Sequence, residues 1–189
     1  MDRADSGSDG VGMKFTETPL SGAYIIDLDR IEDERGFFAR TFCVKEFSAR
    51  GIILNIVQAN TSYNKKRGTV RGMHYQLPPH AEPKLIRCVR GSIYDVIIDL
   101  REDSETYLKW FAAELNEQNQ KMIYVPEGFA HGFQTLVDDT EVFYQMGEYY
   151  HQEAATGVRW DDSKFQIFWP LEVAVISVKD RSYPLFHVK

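Results

Sequence analysis

Cysteine is scarce in this sequence, and its two cysteines, Cys43 and Cys88, lie in separate segments without the spacing of a metal site. This pattern argues against a disulfide framework or a cysteine-based zinc site, and it favours two reduced thiols in a cytoplasmic protein. Long hydrophobic runs are missing too, since none approaches the roughly 20 apolar residues that a membrane-spanning helix needs. We therefore predict no membrane segment.

The sequence also lacks a stripe of basic side chains, and its formal net charge is −6. Domains that bind nucleic acid usually carry a basic patch, so we expect no nucleic-acid partner. A negatively charged chain can still bind an anion where a few cations face it. We find no internal repeat, no dinucleotide-binding glycine fingerprint and no phosphate-binding P-loop, so no nucleotide cofactor is predicted.

Aromatic residues, by contrast, are abundant, with 12 Phe and 10 Tyr among 189 residues. Aromatic and β-branched residues favour strands, and short apolar segments alternate here with turn signals. We therefore predict an all-β barrel or sandwich with a few short helices, one of them over residues 44–50. Residues 1–12 are small and polar and predict a disordered leader, and residues 13–189 are long enough for a single domain.

The chemically richest segment runs over residues 67–100. We predict one strand that ends before the prolines Pro78 and Pro79, then strands over residues 84–89 and 93–100 joined as a hairpin. The first strand carries His74 and the second begins with Lys84, so a titratable base and a cation lie on successive strands. This pairing suits the abstraction of a proton beside a carbonyl, with the cation stabilising the enolate.

Arg71 and His74 are three residues apart, so in a flat strand they would face opposite sides of the sheet. If both side chains line one pocket, the strand must bulge between them, and Gly72 is the residue that permits a bulge. On a predicted strand over residues 52–62, Gln58 and Asn60 share one face by the two-residue period.

Motifs that resemble one enzyme family follow one another along the chain from Met13 onward. The matching segments are Arg35-Gly36-x-Phe38, Gln58-x-Asn60, Arg71-Gly72-Met73-His74-Tyr75-Gln76, Lys84-Leu85, residues 91–99, residues 126–133, Tyr144 with Tyr150, residues 157–161, Trp169-Pro170 and residues 177–180. Together they resemble the dTDP-4-dehydrorhamnose 3,5-epimerase family, whose members are dTDP-6-deoxy-4-ketohexose epimerases. The resemblance implies a cupin-type jelly-roll β-barrel.

The resemblance also implies catalytic roles. His74 is the implied general base, and Tyr144 is the implied general acid on the opposite face of the sugar ring. Asp180 is implied to orient His74 through a hydrogen bond, and Lys84 to stabilise the enolate oxygen at C4.

The same resemblance implies a homodimer that exchanges N-terminal strands, and it implies that neither a cofactor nor a metal is used. It also implies a set of residues that bind the substrate. Tyr150 is implied to lie near the sugar. The residues implied to contact the nucleotide or its diphosphate are Arg35, Gln58, Asn60, Arg71, His131 and Lys179.

The implied chemistry is coherent on general grounds. The carbonyl of a 4-keto sugar acidifies the hydrogens at C3 and C5, because both carbanions delocalise onto the C4 oxygen. An imidazole, with an unperturbed pKa of about 6.5, suits the base, and a phenol, with one of about 10, can donate a proton to a carbanion. A donor to the enolate oxygen is typically worth roughly 3–4 kcal/mol, and no hydride moves.

Two positions depart from the family pattern, because Arg40 and Ala155 stand where glutamates are usual. They leave open which nucleotide and sugar are bound, and whether only C3 is inverted.

Two other classes of function stay open. A metal-dependent cupin dioxygenase is one, with His74 and His131 as ligands, although two histidines alone make a poor metal site. A sugar-binding cupin without turnover is the other. Taken by itself, Tyr144 is equally compatible with a core role, and the pair Asp95 and Asp99 with either a carboxylate dyad or turn contacts.

Overall fold

Strands make up most of the regular structure of the protein, for which a computed structural model describes residues 10–187. In chain order the elements are β1 (Met13–Glu17), β2 (Tyr24–Leu28), β3 (Arg30–Asp33), β4 (Gly36–Ala39), α1 (Val44–Ser48), β5 (Gln58–Asn64), β6 (Thr69–Gln76), β7 (Lys84–Arg90), β8 (Ser92–Asp99), β9 (Trp110–Asn116), β10 (Met122–Val125), β11 (Phe129–Thr135), β12 (Thr140–Met146), β13 (Ala155–Gly157), β14 (Val175–Ile176) and α2 (Val178–Arg181). The all-β prediction with short helices is confirmed. Neither helix in residues 10–187 has the length and apolar character needed to cross a membrane.

Two sheets face each other across the main core. The first has the order β1-β2-β10-β7-β12-β5 and the second the order β13-β6-β11-β8-β9, with β14 added in parallel to β6. Side chains from both sheets form the cluster between them, among them Ile86 and Val142 from the first sheet and Ile97 and Phe133 from the second. Further apolar clusters cover the outer faces, one of them around Phe47 of α1. Apolar side chains on both faces of the central strands are therefore buried in one of these clusters.

The predicted hairpin between residues 84–89 and 93–100 is wrong. β7 pairs with β10 and β12 in the first sheet, whereas β8 pairs with β11 and β9 in the second. The turn at Gly91 therefore carries the chain from one sheet to the other. Both strands are apolar on both faces, so their local pattern could not distinguish a hairpin from this crossing. β6 and β7 likewise lie in different sheets, which places His74 opposite Lys84 rather than beside it.

The bulge predicted between Arg71 and His74 is present. β6 pairs with β11 so that His74 lies opposite His131 and Arg71 lies opposite Phe133. Three residue steps along β6 therefore match only two along β11. Gly72 has a φ of +126°, which favours glycine, and its Cα lies close to the backbone of β11. The extra residue returns Arg71 and His74 to the same side of the strand.

The expected leader over residues 1–12 falls mostly outside the described residues. Its last part does not match the expectation, because Val11 is buried and the Gly12 carbonyl accepts a hydrogen bond of 3.0 Å from the Asp29 N–H. The ordered chain therefore includes Val11 and Gly12. The strand expected over residues 52–62 begins only at Gln58, because Ile52 and Leu54 pack into the outer cluster instead of pairing.

We predict that Gly72→Ala destabilises the fold more than Gly36→Ala. The two glycines have nearly equal φ values, +126° and +124°, so both substitutions carry a similar backbone strain of about 1–3 kcal/mol. A Cβ at residue 72 lies 2.5 Å from the Gly132 Cα, whereas a Cβ at residue 36 meets no atom within 4 Å. The steric clash adds about 1–3 kcal/mol to the destabilisation by Gly72→Ala. Urea unfolding of both variants measures this as the difference between their free energies of unfolding. Equal losses in the two variants would show that the close approach to β11 is not limiting.

Candidate active site

A cavity of about 650 Å³ opens between the two sheets. A second cavity of about 340 Å³ adjoins it, and four side chains line both: Arg71, His74, Lys84 and Tyr144. The residues predicted for the site that line only the larger cavity are Gln58, Asn60, Tyr150, Lys179 and Asp180, whereas His131 lines the smaller one. The structure therefore brings together every predicted site residue except Arg35.

His74 is held by a carboxylate that is distant in sequence. Its Nε2 lies 2.7 Å from Oδ1 of Asp180, and the His74 side chain remains partly exposed to the cavity whereas Asp180 is buried. Because Nε2 is bonded to Asp180, Nδ1 is the ring nitrogen left to accept a proton. The carboxylate fixes the orientation of the ring. It also stabilises the imidazolium that forms when Nδ1 accepts a proton.

Asp180 in turn is fixed by the first turn of α2. Ser177 caps this helix, and its Oγ accepts a 3.0 Å hydrogen bond from the Asp180 N–H. Burial raises the pKa of Asp180, but the hydrogen bond and charge of His74, helped by the Gly72 N–H, outweigh it, so the pKa is lowered overall. Asp180 therefore stays ionised at neutral pH.

Tyr144 faces the same two cavities from the other sheet. It lies on β12, opposite Asn60 of β5 and Ile86 of β7. Burial raises its pKa, and the negative charge of Glu82 raises it further, against a smaller opposing effect of Arg71. The phenol therefore keeps its proton at neutral pH and is suited to donate it.

Lys84 is a buried cation with a fixed partner. Its Nζ lies 2.7 Å from Oε1 of Glu82, and both side chains are almost fully buried. A charge so deeply buried needs a partner, and this one keeps the ammonium group at the cavity wall. Sequence reasoning missed Glu82; its only signal was its position two residues before Lys84 on a strand-like segment.

His131 also has a carboxylate partner, which the sequence did not identify. Its Nε2 lies 2.8 Å from Oδ2 of the fully buried Asp95 on the neighbouring strand β8, a diagonal contact because Asp95 itself lies opposite Phe133. Burial raises the pKa of Asp95, and the charges of His131 and Lys84 oppose this effect. Asp99 lies elsewhere and bonds Arg101, so Asp95 and Asp99 form no dyad.

The remaining predicted residues line the larger cavity with less burial. Arg71 donates from Nε to Asn64 Oδ1 at 2.7 Å, which leaves its two terminal nitrogens for other partners. Gln58 receives a hydrogen bond from the Tyr150 N–H at 3.2 Å. Tyr183, another residue that the sequence analysis missed, packs its ring edge against His74 with the centroids 6.0 Å apart.

Arg35 is not part of the cavity within one chain. It lies at the turn of the β3–β4 hairpin, its side chain is exposed, and it pairs with Asp33. Of the two positions where family glutamates are usual, Ala155 lines the larger cavity, whereas Arg40 lines neither and bonds the Val11 carbonyl and Glu46.

Comparison with known proteins places this arrangement in a family. The family model for dTDP-4-dehydrorhamnose 3,5-epimerase matches residues 17–187. The dTDP-4-dehydrorhamnose 3,5-epimerase of Methanothermobacter thermautotrophicus is 42% identical over 173 residues, which cover 90% of this chain and 92% of that protein.

Solved structures agree with this assignment. The Bacillus anthracis dTDP-4-dehydrorhamnose 3,5-epimerase with TDP and PPi bound matches with a TM-score of 0.90 at 42% identity, covering 93% of this chain and 100% of that one. The Legionella pneumophila dTDP-6-deoxy-D-glucose-3,5-epimerase in complex with dTDP-4-keto-L-rhamnose matches with a TM-score of 0.84 at 34% identity, covering 89% and 90%. The predicted cupin-type jelly roll is thereby confirmed. The chain belongs to the dTDP-4-dehydrorhamnose 3,5-epimerase family.

Proposed function

We propose that this protein is a cofactor-independent isomerase that inverts C3 and C5 of a nucleotide-linked 4-keto-6-deoxyhexose. The substrate and product are of the dTDP-4-dehydro-6-deoxyglucose and dTDP-4-dehydrorhamnose type. Family membership supports this, as does the related structure that holds dTDP-4-keto-L-rhamnose. The observation that carries the proposal is the presence of a carboxylate-held imidazole, His74, and a protonated phenol, Tyr144, on opposite sheets around the same space.

The proposed reaction begins with the removal of a proton from C3 or C5. The C–H bond breaks, the proton passes to Nδ1 of His74, and the electron pair delocalises onto the C4 oxygen as an enolate. The ammonium group of Lys84, held by Glu82, stabilises that oxygen. Asp180 stabilises the imidazolium at the same time.

Inversion is completed from the other side of the ring. Tyr144 gives its proton to the carbanion carbon on the face opposite His74, and the enolate collapses back to the ketone. Proton exchange with solvent then restores the phenol and the neutral imidazole. A second round at the other carbon gives the doubly inverted sugar, and no electron acceptor is required.

The remaining predicted residues bind the substrate. Arg71, Lys179 and His131 contact the diphosphate, since arginine and lysine are suited to phosphate oxygens. Gln58 and Asn60 contact the nucleotide, and Tyr150 lies near the sugar.

We also propose that the protein works as a homodimer that exchanges N-terminal strands. The β3–β4 hairpin exposes the apolar side chains of Ile31, Phe37 and Phe38, the last with 65% of its surface accessible. The hairpin also carries Arg35, the one predicted substrate-binding residue that the cavity of its own chain lacks. In the dimer the hairpin covers its apolar face against the partner and brings Arg35 to the partner's cavity. A cytoplasmic location stays a prediction.

We predict that the enzyme introduces solvent deuterium at both C3 and C5 of the sugar in deuterated water. His74→Asn abolishes label at both carbons, because the base is gone. Tyr144→Phe still exchanges the proton on the His74 side but gives little inverted product, because the opposite donor is missing. Mass spectrometry and proton NMR of the recovered sugar measure both effects.

The label pattern also tests the alternatives. Label at C3 alone would replace the proposal with a C3 epimerase, in which Ala155 at the cavity wall is the first residue to examine. A folded enzyme that introduces no label at either carbon would refute the proposed function. Equal activity of His74→Asn and the unmodified protein would favour a cupin that does not use this base.

We predict that Asp180→Asn lowers kcat by about 10²–10⁴-fold, because the amide neither orients His74 nor stabilises its protonated form. The pKa of Asp180 is lowered, so the carboxylate is ionised throughout pH 5–8 and does not itself shape the profile. The loss of activity in Asp180→Asn is therefore expected at every pH between 5 and 8.

The measurement is the pH dependence of kcat/KM for the two enzymes, with the exposed Asp103→Asn as a control of equal charge change. Circular dichroism checks that the fold is retained. If Asp180→Asn keeps the kcat/KM of the unmodified protein between pH 5 and 8, the proposed role of Asp180 is contradicted.

We predict that two defective variants complement each other if Arg35 acts across the dimer. Arg35→Ala and His74→Ala homodimers are each impaired, but a mixed dimer has one site with both His74 and the partner's Arg35 intact. Random exchange of subunits then restores about a quarter of the original activity, because half of the dimers are mixed and each has one working site. Light scattering measures the assembly state. An absence of recovery in verified mixed dimers would show that Arg35 does not act in trans.

A further inference from the structure

Three metal-ligating side chains meet beside the larger cavity without belonging to its wall. His80 lies in the loop after β6, and His151 and Glu153 lie between β12 and β13. One ligand atom from each residue lies within 4.8 Å of the other two. In residues 10–187 this is the only group of three or more histidine, cysteine or acidic residues with such proximity. The cluster is separate from His74 and His131, the pair that the rival metal-cupin interpretation requires.

The side chains of the cluster are already close together. The rings of His80 and His151 stack with centroids 3.6 Å apart and an interplanar angle of 20°. Nδ1 of His151 lies 3.3 Å from Oε1 of Glu153, and its Nε2 lies 3.7 Å from Oε1 of Glu148.

One buried side chain holds both segments in place. Gln76 is 3% exposed, and its Nε2 donates hydrogen bonds of 3.0 Å to the carbonyls of His80 and Tyr149. Its Oε1 accepts a 2.6 Å hydrogen bond from the His151 N–H. The two histidines are therefore presented by backbone that is fixed before any ligand binds, which reduces the entropic cost of binding.

The donor set indicates the class of ligand. Two imidazole nitrogens and one carboxylate oxygen suit zinc and neighbouring divalent transition ions, whereas magnesium and calcium favour oxygen ligands alone. Three protein ligands on a partly exposed surface leave further positions for water. We propose that His80, His151 and Glu153 bind one divalent transition-metal ion, which fastens the loop after β6 to the segment between β12 and β13.

The fastened segments border the active site. Gln76 precedes the first loop and Glu82 belongs to it, whereas Tyr150 belongs to the second segment and Ala155 follows that segment. All four residues line the larger cavity. The ion therefore stabilises the wall around Tyr150 and takes no part in proton transfer. This inference does not depend on the proposed epimerase activity, because binding is measured on the free protein.

The test is metal binding to the full chain after removal of bound metal with a chelator. Cobalt(II) is the spectroscopic probe, since coordination by imidazole changes its visible absorption, and zinc is the probe for calorimetry and thermal unfolding. We expect one ion per chain. A hundredfold excess of zinc over its dissociation constant raises the unfolding midpoint by about 5–10 °C.

The variants separate this site from others. His80→Ala and His151→Ala each weaken binding by about 100-fold or more, beyond the usual cost of losing a residue that only orients a ligand. The Glu153 side chain is exposed and Glu153→Gln is a conservative change, so this variant weakens metal binding without disturbing the fold. Two variants are controls: His187→Ala changes an exposed histidine outside the cluster, and His74→Ala changes the active site. Both bind the metal ion as the unmodified protein does.

Hydrogen exchange tests the fastening. Zinc slows amide exchange in residues 77–83 and 147–154 of the unmodified protein but not of Glu153→Gln. An absence of binding, binding that is unchanged in His151→Ala and Glu153→Gln, or binding that is lost in His74→Ala would each overturn the proposed site. Binding without slower exchange in these two segments would overturn the fastening.

Discussion

The hydrogen bond between His74 and Asp180 is the contact on which the candidate site depends. It joins residues 106 positions apart in the sequence and connects β6 to the four-residue helix α2. The extended backbone around β14 brings Ser177 next to β6, and the cap of α2 then fixes Asp180. An imidazole held in this way has one ring nitrogen committed and one free, which is the state that a general base needs. The irregular end of the chain therefore holds a residue of the cavity wall in place.

The other charged groups of the site follow the same rule, that a buried charge is retained only with a partner. Lys84 has Glu82, and His131 has Asp95. These pairs are costly to desolvate and contribute little to the net stability of the fold. Their effect is to fix the positions of cations around a cavity in a protein whose net charge is −6. Local pairing, and not overall charge, thus determines how an anionic nucleotide sugar can be accommodated.

The two-sheet fold divides the chemistry between its layers. His74 and Asp180 belong to the side of the second sheet, whereas Lys84 and Tyr144 belong to the first. In the proposed reaction, a substrate between the sheets therefore meets His74 as the base and Tyr144 as the acid from opposite directions, as inversion of a carbon centre requires. The chain crosses between the sheets in the loop after β6 and again at Gly91, where a hairpin was predicted. These two crossings generate the arrangement. The cluster of His80, His151 and Glu153 lies where one of these crossings meets the segment after β12.

The sequence by itself determined the features that depend on short-range spacing. The short helix predicted over residues 44–50 is present as α1, and the bulge at Gly72 followed from the three-residue interval between Arg71 and His74. Of the eleven site residues that the family resemblance implied, all but Arg35 line the two cavities, because the family's motifs are ordered along the whole chain. The jelly roll followed from the same resemblance.

Only the tertiary structure decided which strands pair and which distant residues meet. The crossing at Gly91 and the packing of Ile52 and Leu54 depend on contacts between distant segments, and the contact of Asp95 with His131 depends on the pairing of β8 with β11. A two-residue period looks the same whichever sheet a strand joins. Arg35 is the converse case, since its motif indicated a role in binding while its own chain leaves it outside the cavity. Local sequence sets the direction of a side chain along its strand, but the path of the chain between layers sets what that side chain faces.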